Sequence, residues 1–385
     1  MKDRIIVSEC VTNGHPDKIA DRIADEILGE FYTLDPNTRA GIEVMVKDNI
    51  VVLGGEVTSV STVDYDTIVR RVYQQLNFPE WHGLAPDKIK VINLLGKQSL
   101  EINSGVDRED GSIGAGDQGF VCGFATNETP EYLGLGQYIA KKICRFIERS
   151  EGFGPDGKSQ VIVRYDSFGK AHVESILVSS MHHGTWDSLA NAKAYISWSI
   201  VTNDVGFDKD IFENYIKGAH VVVNPCGEWH TGGPVADCGV TGRKIVVDQF
   251  GGYCSVGGGN LTGKDMSKVD RSGAYMARYL AKNIVASGAA DTAKVELSYM
   301  IGVPEPSSMD VQVNDEPVKS KRLSDIILNN IDLTPQGIIN RFGRVPYSAI
   351  ACYGHYGVSE DVNGFDISKM YGWEQTDMTD LFKNV

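Results

Sequence analysis

The chain has 385 residues, of which 42% are apolar and 23% are charged, a composition typical of a globular protein with two or three domains. Its 51 acidic and 37 basic residues give a formal net charge of −14. A chain this acidic is not expected to bind nucleic acid or an anionic membrane, because both require a basic surface. A polyanionic ligand would therefore need a local cluster of cationic side chains, backbone N–H groups or metal ions.

Seven cysteines are scattered along the chain without a CxxC pair. Their odd number and spacing predict the reduced thiols of a cytoplasmic protein and not a disulfide framework or a zinc site. The N-terminal segment becomes polar too early for a signal peptide, and no apolar run approaches the ~20 residues of a membrane span. His182 and His183 are adjacent without a nearby ligand set, which favours packing or surface roles over metal binding.

The first part of the chain mixes helical and strand patterns. Residues 16–31 place their apolar side chains on one stripe, which predicts an amphipathic helix. Apolar and polar residues then alternate through 41–57 around a turn at 47–49, which predicts a β-hairpin. Residues 103–119 contain five glycines and no periodicity, so a loop is expected there.

The second part of the chain repeats this mixture. A further hairpin is predicted for residues 159–180, where the alternation is interrupted at 166–169. Helical periodicity is found in residues 132–149 and 267–287, and apolar alternation predicts strands at residues 244–250, 295–303 and 309–315. Hairpins mixed with helices favour an α+β fold over a strict βαβ alternation.

Residues 14–18, Gly-His-Pro-Asp-Lys, stand at the start of the first predicted helix. Pro16 suits the first helical turn, and His15 would lie beside the free N–H groups at the positive end of the helix dipole. Asp17 would repel a bare phosphate but could hold Mg²⁺ that bridges to one. The motif is compatible with a metal–phosphate site, although ordinary helix capping explains these residues more simply when they are taken alone.

Asp117 lies within a glycine-rich run at residues 114–119. Glycines allow the backbone to approach a ligand closely, and a carboxylate among them is a candidate for binding a cationic group. An Asp-containing turn explains the same pattern equally well.

The densest glycine cluster is residues 227–271, which contain eleven of the chain's 42 glycines. Five cationic side chains fall in or beside these turns: Arg243, Lys244, Lys264, Lys268 and Arg271. In an acidic protein they form the cationic surface that a polyphosphate needs, with Asp270 on the following helix as a second possible metal ligand. A solvated charged loop is the weaker alternative. The run from Gly258 to Lys264 matches only the first part of a P-loop, because Asp265 replaces the required hydroxyl residue.

Three strings together carry a family resemblance: VTNGHPDKIAD at 11–21, GAGDQGFVCGF at 114–124 and GGGNLTGKD at 257–265. They closely resemble the signature segments of the S-adenosylmethionine synthetases, or methionine adenosyltransferases. The resemblance continues in the family's order through GGEVTS, GKQSLEINSGVDR, PDGKSQ, DCGVTGRKIVVDQFGG, SKVDRSGAYMARYLAKNIVASG and YGHYG. It covers most of the chain, and several long motifs in order are far more specific than one glycine pattern.

The resemblance implies a defined reaction. The methionine sulfur attacks C5′ of ATP to form S-adenosylmethionine, and the departing triphosphate is cleaved to pyrophosphate and phosphate. A thioether carries no proton, so the attack needs no general base, and the sequence offers no obvious Ser-His-Asp set. Positive charge develops on sulfur and negative charge on the leaving oxygen, so catalysis is expected from positioning and electrostatics.

The resemblance also implies roles for individual residues at the ATP end. His15 is expected to donate a hydrogen bond to the departing 5′ oxygen. Asp17 and Asp270 are the expected Mg²⁺ ligands, with two ions per site, and Glu43 is the expected K⁺ ligand. The other expected ATP-binding positions are Asp156, Gly157, Lys158, Glu228, Trp229, Asp237, Arg243, Lys244, Asn260 and Lys264. Among these, Arg243 is expected to serve the cleavage of triphosphate.

The expected methionine-binding positions are Glu56, Gln98, Asp117, Asp237 and Lys268. Asp117 would lie near the nascent sulfonium, and residues 98–110 correspond to a flexible gate over the site. The expected catalytic set, which includes the polyphosphate clamp, is His15, Asp117, Lys158, Arg243, Lys264 and Lys268, supported by Lys244. Each residue alone has an ordinary surface or turn explanation, and only their order within matched motifs favours the functional one.

The implied fold is α+β, with three similar sheet-plus-helix domains related by pseudo-threefold symmetry at residues 3–100, 113–230 and 232–371. The expected enzyme is a cytoplasmic homodimer or homotetramer that uses Mg²⁺ and K⁺. Its active sites would be shared, with the methionine-binding residues of the N-terminal part facing the ATP-binding residues of the other subunit.

One departure from the family pattern is the pair Glu228 and Trp229, where family members usually carry Arg or Lys followed by Phe. Trp can still stack on adenine, whereas Glu reverses a charge beside the nucleotide. A rival interpretation is therefore a regulatory or binding subunit with weak catalysis. A kinase or P-loop ATPase, which would form ADP without a sulfonium product, is the other alternative.

Overall fold

The computed structural model describes residues 3–97, 114–184, 188–314, 316–358, 361–362 and 365–385. Gln98, the expected gate at 98–110 and most of the predicted loop at 103–119 lie outside the described residues. Residues 114–118 are described and are irregular, as the loop prediction requires.

The helices and strands are numbered here in chain order. Within the described residues the helices are α1 Pro16–Leu34, α2 Tyr65–Leu76, α3 Leu135–Arg149, α4 Leu189–Val201, α5 Lys209–Ile211, α6 Ile245–Asp248, α7 Val269–Ala286, α8 Pro317–Asn330, α9 Pro335–Phe342 and α10 Tyr347–Tyr353. The strands are β1 Arg4–Val11, β2 Arg39–Lys47, β3 Ile50–Thr58, β4 Lys90–Asn93, β5 Gly119–Thr126, β6 Phe153–Tyr165, β7 Ala171–His182, β8 His220–Val223, β9 Gly239–Val240, β10 Thr292–Tyr299, β11 Ser308–Val313, β12 Asp361–Val362 and β13 Phe365–Asp366.

In the described part of the chain, the long strands form three main sheets, and each sheet is backed by one long helix. Helix α1 packs on the sheet β4-β3-β2-β9, α3 packs on β1-β6-β7-β8, and α7 packs on β11-β10-β5. Strands β12 and β13 form a separate short ribbon. The expected α+β fold of three sheet-plus-helix units is confirmed.

Helix α1 begins where the sequence predicts and continues to Leu34. Pro16 occupies its first turn, and the predicted apolar stripe, which includes Ile19, Ile23 and Ile27, is fully buried. Most of the polar residues on its first turns are buried as well. Helix α1 is therefore covered on two sides, and its carboxylates must find partners inside the protein.

Helix α7 matches the helix predicted at 267–287 and is buried along nearly its whole length. It lies close against β5, because a Cβ atom on Gly123 would stand only 2.0 Å from the backbone of Ala277. Two of its arginines are fully buried in ion pairs. Arg271 makes a two-pronged contact with Asp25 at 2.8 and 2.6 Å, and Arg278 contacts Glu374 at 2.8 and 3.1 Å.

Both predicted hairpins are confirmed. Strands β2 and β3 pair from Arg39 opposite Thr58 to Lys47 opposite Ile50, which leaves a two-residue turn. Strands β6 and β7 pair on either side of the turn at 166–169. The strands predicted at 295–303 and 309–315 are also present, as β10 and β11, although β10 ends at Tyr299.

The prediction of a strand at residues 244–250 is wrong, because the helical turn α6 occupies most of this segment. Its β-branched residues favour a strand, but its two charged residues favour a helical turn. Lys244 and Asp248 are four residues apart, so one helical turn brings them to the same side of the segment. There the Lys244 ammonium contacts Asp17, and the Asp248 carboxylate contacts Lys18 at 2.7 Å.

Each main sheet contains a strand from a distant part of the chain. Strand β1 pairs with β6, β5 pairs with β10, and β9 pairs with β2. Nearly the whole length of β1 is paired, from Arg4 opposite Tyr165 to Val11 opposite Lys158. Each sheet therefore combines strands from distant parts of the sequence. The domain bounds 3–100, 113–230 and 232–371 stay a prediction.

We expect Asp25→Asn to lower the free energy of unfolding by about 3–5 kcal/mol, because it leaves the Arg271 guanidinium buried without its anionic partner. Chemical denaturation followed by circular dichroism measures this change. The matched control is Asp325→Asn, which breaks the solvent-exposed pair with Lys321 and should cost less than about 1 kcal/mol. Equal effects of the two substitutions would contradict the structural role of the buried pair.

Candidate functional site

Three carboxylates of α1 bind the glycine-rich segment that follows Gly232. They are spaced by four residues, so they share one face of the helix. Each accepts a backbone hydrogen bond: Asp17 from Val240 at 3.0 Å, Asp21 from Gly242 at 2.9 Å and Asp25 from Gly263 at 2.8 Å. This acidic face of α1, defined by Asp17, Asp21 and Asp25, fixes where the cationic residues of the segment project.

His15 is the N-cap of α1, and its side chain closes the first turn. Its Nδ1 atom accepts a hydrogen bond from the backbone N–H of Asp17 at 3.2 Å. In a neutral imidazole the proton must then be on Nε2, which makes Nε2–H a hydrogen-bond donor.

Burial, together with the positive charge of Lys244, lowers the pKa of His15 from its ordinary value of 6.5 to about 4. The neighbouring carboxylates of Asp17 and Asp237 act in the opposite direction. His15 is therefore neutral near pH 7 and serves as a donor without carrying a charge.

The side chains of Arg243 and Lys244 meet Asp17 at the start of α1. Asp17 is only 1% exposed; its Oδ2 lies 2.5 Å from Lys244 Nζ, and its Oδ1 lies 3.5 Å from Arg243 Nε. The Arg243 side chain is 51% exposed, and its Nη1 donates to the carbonyl of Cys238 at 3.1 Å. One cation is thus anchored beside His15, while the other remains open to a ligand.

Strand β6 brings Asp156, Gly157 and Lys158 to the same place. The carbonyl of Gly157 accepts a hydrogen bond from the backbone of Thr12, three residues before His15. The carboxylate of Asp156 accepts from Gly233 at 2.7 Å, and burial raises its pKa to about 7. This group of residues around the start of α1, which we call the α1 cluster, is therefore built from three separate chain segments joined by backbone hydrogen bonds.

Glu9, which no sequence motif indicates, also belongs to this cluster. Its carboxylate contacts Lys158 Nζ at 2.7 Å and accepts from Gln160 at 2.8 Å. Burial opposes its ionisation, but these two hydrogen bonds keep the pKa of Glu9 below its ordinary value. The contact depends on the pairing of β1 with β6, across about 150 residues, and no local pattern indicates it.

Asp237, Glu228 and Trp229 lie on the loop that precedes β9. Asp237 is exposed and accepts a hydrogen bond from the backbone of Cys238, while Glu228 is exposed and lies 3.6 Å from His230. The backbone N–H of Trp229 donates to His182 Nε2 at 3.2 Å, and its indole donates to the carbonyl of Thr231. His182 thus has the packing role expected for it.

A second group of predicted residues surrounds the start of α7, and we call it the α7 cluster. Lys264 Nζ contacts Asp270 at 2.6 Å, and Lys268 Nζ contacts Glu56 at 3.4 Å. Gly259 packs against the carboxylate of Asp270 so closely that a Cβ atom would stand 2.1 Å from it. The lysines of this cluster are thus also held by carboxylates.

Glu43 and Asn260 lie at the edge of the α7 cluster. Glu43 projects outward from β2, and partial desolvation raises its pKa, whereas Lys264 and a hydrogen bond with Asn260 lower it. Asn260 also accepts from the backbone of Thr262 at 2.7 Å.

Asp117 is exposed two residues before Gly119, and a Cβ atom on Gly119 would lie 3.3 Å from the Asp270 carboxylate. The glycine-rich run of the second motif therefore approaches the α7 cluster.

The predicted site residues are thus divided between two clusters at different positions along the same edge of β2. Val240, beside the α1 cluster, pairs with Met45, whereas Lys264 of the α7 cluster forms a bridge with Gly41. Four residues of strand correspond to about 13 Å at ~3.3 Å per residue. One chain therefore presents two half-sites, with Glu43 between them.

The two expected magnesium ligands belong to different half-sites, Asp17 to the first and Asp270 to the second. In the described ranges no group of three or more His, Cys, Asp or Glu side chains could hold a metal ion by itself. This arrangement fits Mg²⁺ that takes one protein carboxylate and completes its shell with phosphate oxygens and water.

Among the described residues, no helix combines the length and apolar character needed to cross a membrane.

We expect the His15 imidazole to titrate near pH 4, and at a higher pH in Lys244→Met, because that substitution removes a positive charge beside it. The measurement is an NMR titration of labelled histidine. Because the pKa of His15 in the folded protein lies below 6.5, the unfolded chain binds the proton more readily. The contribution of His15 to the free energy of unfolding is therefore complete above pH 6.5. It is lost as the pH falls from 6.5 towards 4. Lys209→Met, at an exposed position on α5, is the control. A wild-type titration near pH 6.5 would contradict the buried, neutral His15.

The chain matches three sequence models of one family. They are described as the S-adenosylmethionine synthetase N-terminal domain, over residues 3–100, the central domain, over 112–229, and the C-terminal domain, over 231–367.

Similar proteins and a similar structure carry the same name. S-adenosylmethionine synthases from Trichodesmium erythraeum and Acaryochloris marina are 37% and 39% identical to this chain, over 98% and 99% of it and over 96% and 97% of their own lengths. A solved structure described as an unusual S-adenosylmethionine synthetase from Campylobacter jejuni superposes with a TM-score of 0.85 at 33% identity, covering 100% of this chain and 99% of that one. With family matches and full-length relatives in agreement, the chain belongs to the S-adenosylmethionine synthetase family.

Proposed function

We propose that this chain makes S-adenosylmethionine from ATP and L-methionine, and cleaves the resulting triphosphate to pyrophosphate and phosphate. The observation that carries the proposal is the α1 cluster, in which the Nε2–H of neutral His15 stands beside Arg243 and Lys244. A neutral donor next to two cations is suited to a leaving oxygen that becomes negative in the transition state.

The residues act by positioning and by charge. His15 donates to the 5′ oxygen as the C5′–O bond breaks, and it needs no proton transfer, because triphosphate is a good leaving group. Lys158, Lys244 and Arg243 contact the triphosphate, and Arg243, the exposed member, serves its cleavage. Methionine sulfur needs no base, which agrees with a site in which Asp17, Asp270 and Glu56 are engaged in ion pairs.

Magnesium fits this site as an ion shared between protein and substrate. Asp17 would hold one Mg²⁺ and Asp270 a second, each with a single carboxylate, and Glu43 would hold K⁺. The bound ions would neutralise charge on the triphosphate and keep it aligned. Because both aspartates are paired with lysines, we propose that the metal binds with the nucleotide and not before it.

The α7 cluster is the proposed methionine end of the site. Glu56 and Asp117 supply negative charge near a sulfur that becomes a sulfonium, and Lys268 is placed to meet the methionine carboxylate. Gln98 is assigned here by resemblance. Asp237 and Asn260 complete the contacts to the substrates.

We propose that two copies of the chain combine the half-sites of each into complete active sites. Several apolar side chains are exposed on the outer faces of the sheets that carry the clusters: Ile5, Val7, Met45, Ile50 and Phe120. Met45 projects from the same face of β2 as Glu43, so apolar surface and site residues are adjacent. A second copy would cover this surface and bring its α1 cluster to the α7 cluster of the first. We further propose that the enzyme works in the cytoplasm, where its seven free thiols remain reduced.

The reversed charge at Glu228 does not favour the rival of a catalytically weak subunit. Glu228 lies 3.6 Å from His230 on the same loop, and no contact among the described residues joins it to Lys244 or Asp17. Trp229 keeps a large aromatic face at the position proposed for adenine. The departure is therefore expected to change nucleotide affinity and not the reaction.

Incubation of the purified chain with ATP, methionine, Mg²⁺ and K⁺ tests the function directly. We expect mass spectrometry to detect S-adenosylmethionine, pyrophosphate and phosphate. Omission of methionine should abolish the sulfonium product. ADP in place of a sulfonium would instead support a kinase or ATPase, and ATP binding without turnover would support the regulatory subunit.

We expect Arg243→Ala to lower the rate of product formation by roughly 10²–10³-fold, the effect of removing one preorganised charge donor. Steady-state and single-turnover assays separate formation of S-adenosylmethionine from cleavage of triphosphate, and the cleavage step should be the more affected. Arg322→Ala, at an exposed arginine of α8, is the matched control. A loss smaller than about threefold would remove Arg243 from the proposed mechanism.

We expect Met45→Lys to weaken the homodimer, because it places a charge in the proposed apolar interface. Sedimentation analysis across a range of concentrations measures the change, and activity should fall with the dimer fraction. Phe168→Lys, at an exposed hairpin tip, introduces the same charge elsewhere. A wild-type monomer that retains full activity would overturn the shared site.

A further inference from the structure

Two cysteines from different elements lie together on the side of β1 that faces α3, and β1 is the strand that precedes His15. On β1 the alternation of side chains places Cys10 on the same inward face as Ile6 and Ser8, towards α3. Cys10 is directly opposite Ser159 in the pairing of β1 with β6, and the thiol of Cys144 on α3 lies 3.2 Å from the Ser159 hydroxyl. Strand register and helix packing therefore bring the thiols of Cys10 and Cys144 together.

Both thiols line one narrow cavity of about 40 Å³. This volume accommodates a molecule with two oxygen atoms, since a single water needs about 10–15 Å³ measured in this way. Cys10 is only partly buried, whereas Cys144 is fully buried. The cavity therefore places one accessible and one protected thiol beside a space large enough for a peroxide.

Cationic side chains on α3 line the same cavity. Lys141 donates to the carbonyl of Tyr356, and Arg145 contacts Glu148 at 2.7 Å. A hydrogen bond from the Cys144 thiol is the largest cause that lowers the pKa of Cys10, and the charges of Lys141 and Arg145 add to it. Burial raises the pKa of Cys144. The two thiols are thus unequal, with Cys10 the better nucleophile.

We propose that Cys10 is an oxidation site and that Cys144 resolves it, so that hydrogen peroxide converts the pair into a disulfide. The Cys10 thiolate attacks one peroxide oxygen, the O–O bond breaks, and the departing hydroxide takes a proton to become water. Cys10 is then a sulfenic acid. The sulfur of Cys144 attacks the sulfur of Cys10, the S–S bond forms, the S–O bond breaks, and hydroxide leaves with the thiol proton as a second water. Overall, two thiols and one peroxide give one disulfide and two waters.

This disulfide would act on the active site through β1. Cys10 is flanked by Glu9, which holds Lys158, and by Val11, which is opposite Lys158 in the sheet. Thr12 then binds the carbonyls of residues 155 and 157 just before His15. A covalent link to α3 displaces Cys10 towards the helix and shifts this segment, so the oxidised enzyme is expected to be several-fold less active until a thiol reductant restores it.

The test exposes the purified full chain to hydrogen peroxide, blocks remaining thiols and maps the products by mass spectrometry. We expect a mass loss of about 2 Da and a cross-linked peptide that contains Cys10 and Cys144, both reversed by dithiothreitol. Wild-type protein alone gives this result, so it does not depend on the folding of a variant. The cross-link is read without an activity assay, and its outcome is therefore separate from that of the proposed function.

Three variants sharpen the test. Cys10→Ser should form no cross-link, and Cys144→Ser should stop at a sulfenic acid on residue 10, which dimedone traps. Cys226→Ser removes an exposed thiol and should leave the cross-link unchanged. Peroxide-treated wild type in which Cys10 and Cys144 both remain thiols would overturn the oxidation site. Full activity of completely cross-linked protein would overturn its connection to the active site.

Discussion

The acidic face of α1 is the interaction on which the rest of the site depends. Three carboxylates, one helical turn apart, accept backbone hydrogen bonds from a segment more than 200 residues away. That segment is rich in glycine and has little regular structure, so it has few means of its own to hold a conformation. Removing these acceptors would free Arg243, Lys244 and Lys264 to project in many directions, and the half-sites would lose their geometry.

The same carboxylates explain how an acidic protein can prepare a site for a polyanion. Four lysines of the half-sites each contact a carboxylate: Lys158 with Glu9, Lys244 with Asp17, Lys264 with Asp270 and Lys268 with Glu56. Such pairs keep the ammonium groups in place without a large local excess of positive charge. A triphosphate that arrives with its metal ions can then engage cations that are already oriented, which reduces the reorganisation required.

Local sequence patterns correctly predicted the helices and hairpins that depend on neighbouring residues. The apolar stripe of α1, the two hairpins and α7 are present, because side-chain periodicity and turn residues determine them. The segment 244–250 was predicted as a strand because the partners that favour a helical turn, Asp17 and Lys18, are far away in sequence. Glu9 and the acidic face of α1 were missed for the same reason. The order of the motifs identified the candidate site residues. The ion pairs between them are seen only in the structure.

The pairing of β1 with β6 has a consequence for biosynthesis. During translation β1 leaves the ribosome first, but its partner begins at Phe153, which takes about 7–30 s longer at ~5–20 residues per second. Throughout that interval the strand that carries Ile5 and Val7 has no sheet to join, so the N-terminal segment cannot complete its fold independently. Nascent chains of this family member therefore depend on the slow, long-range pairing of β1 with β6. Protection from aggregation matters most before that pairing has formed.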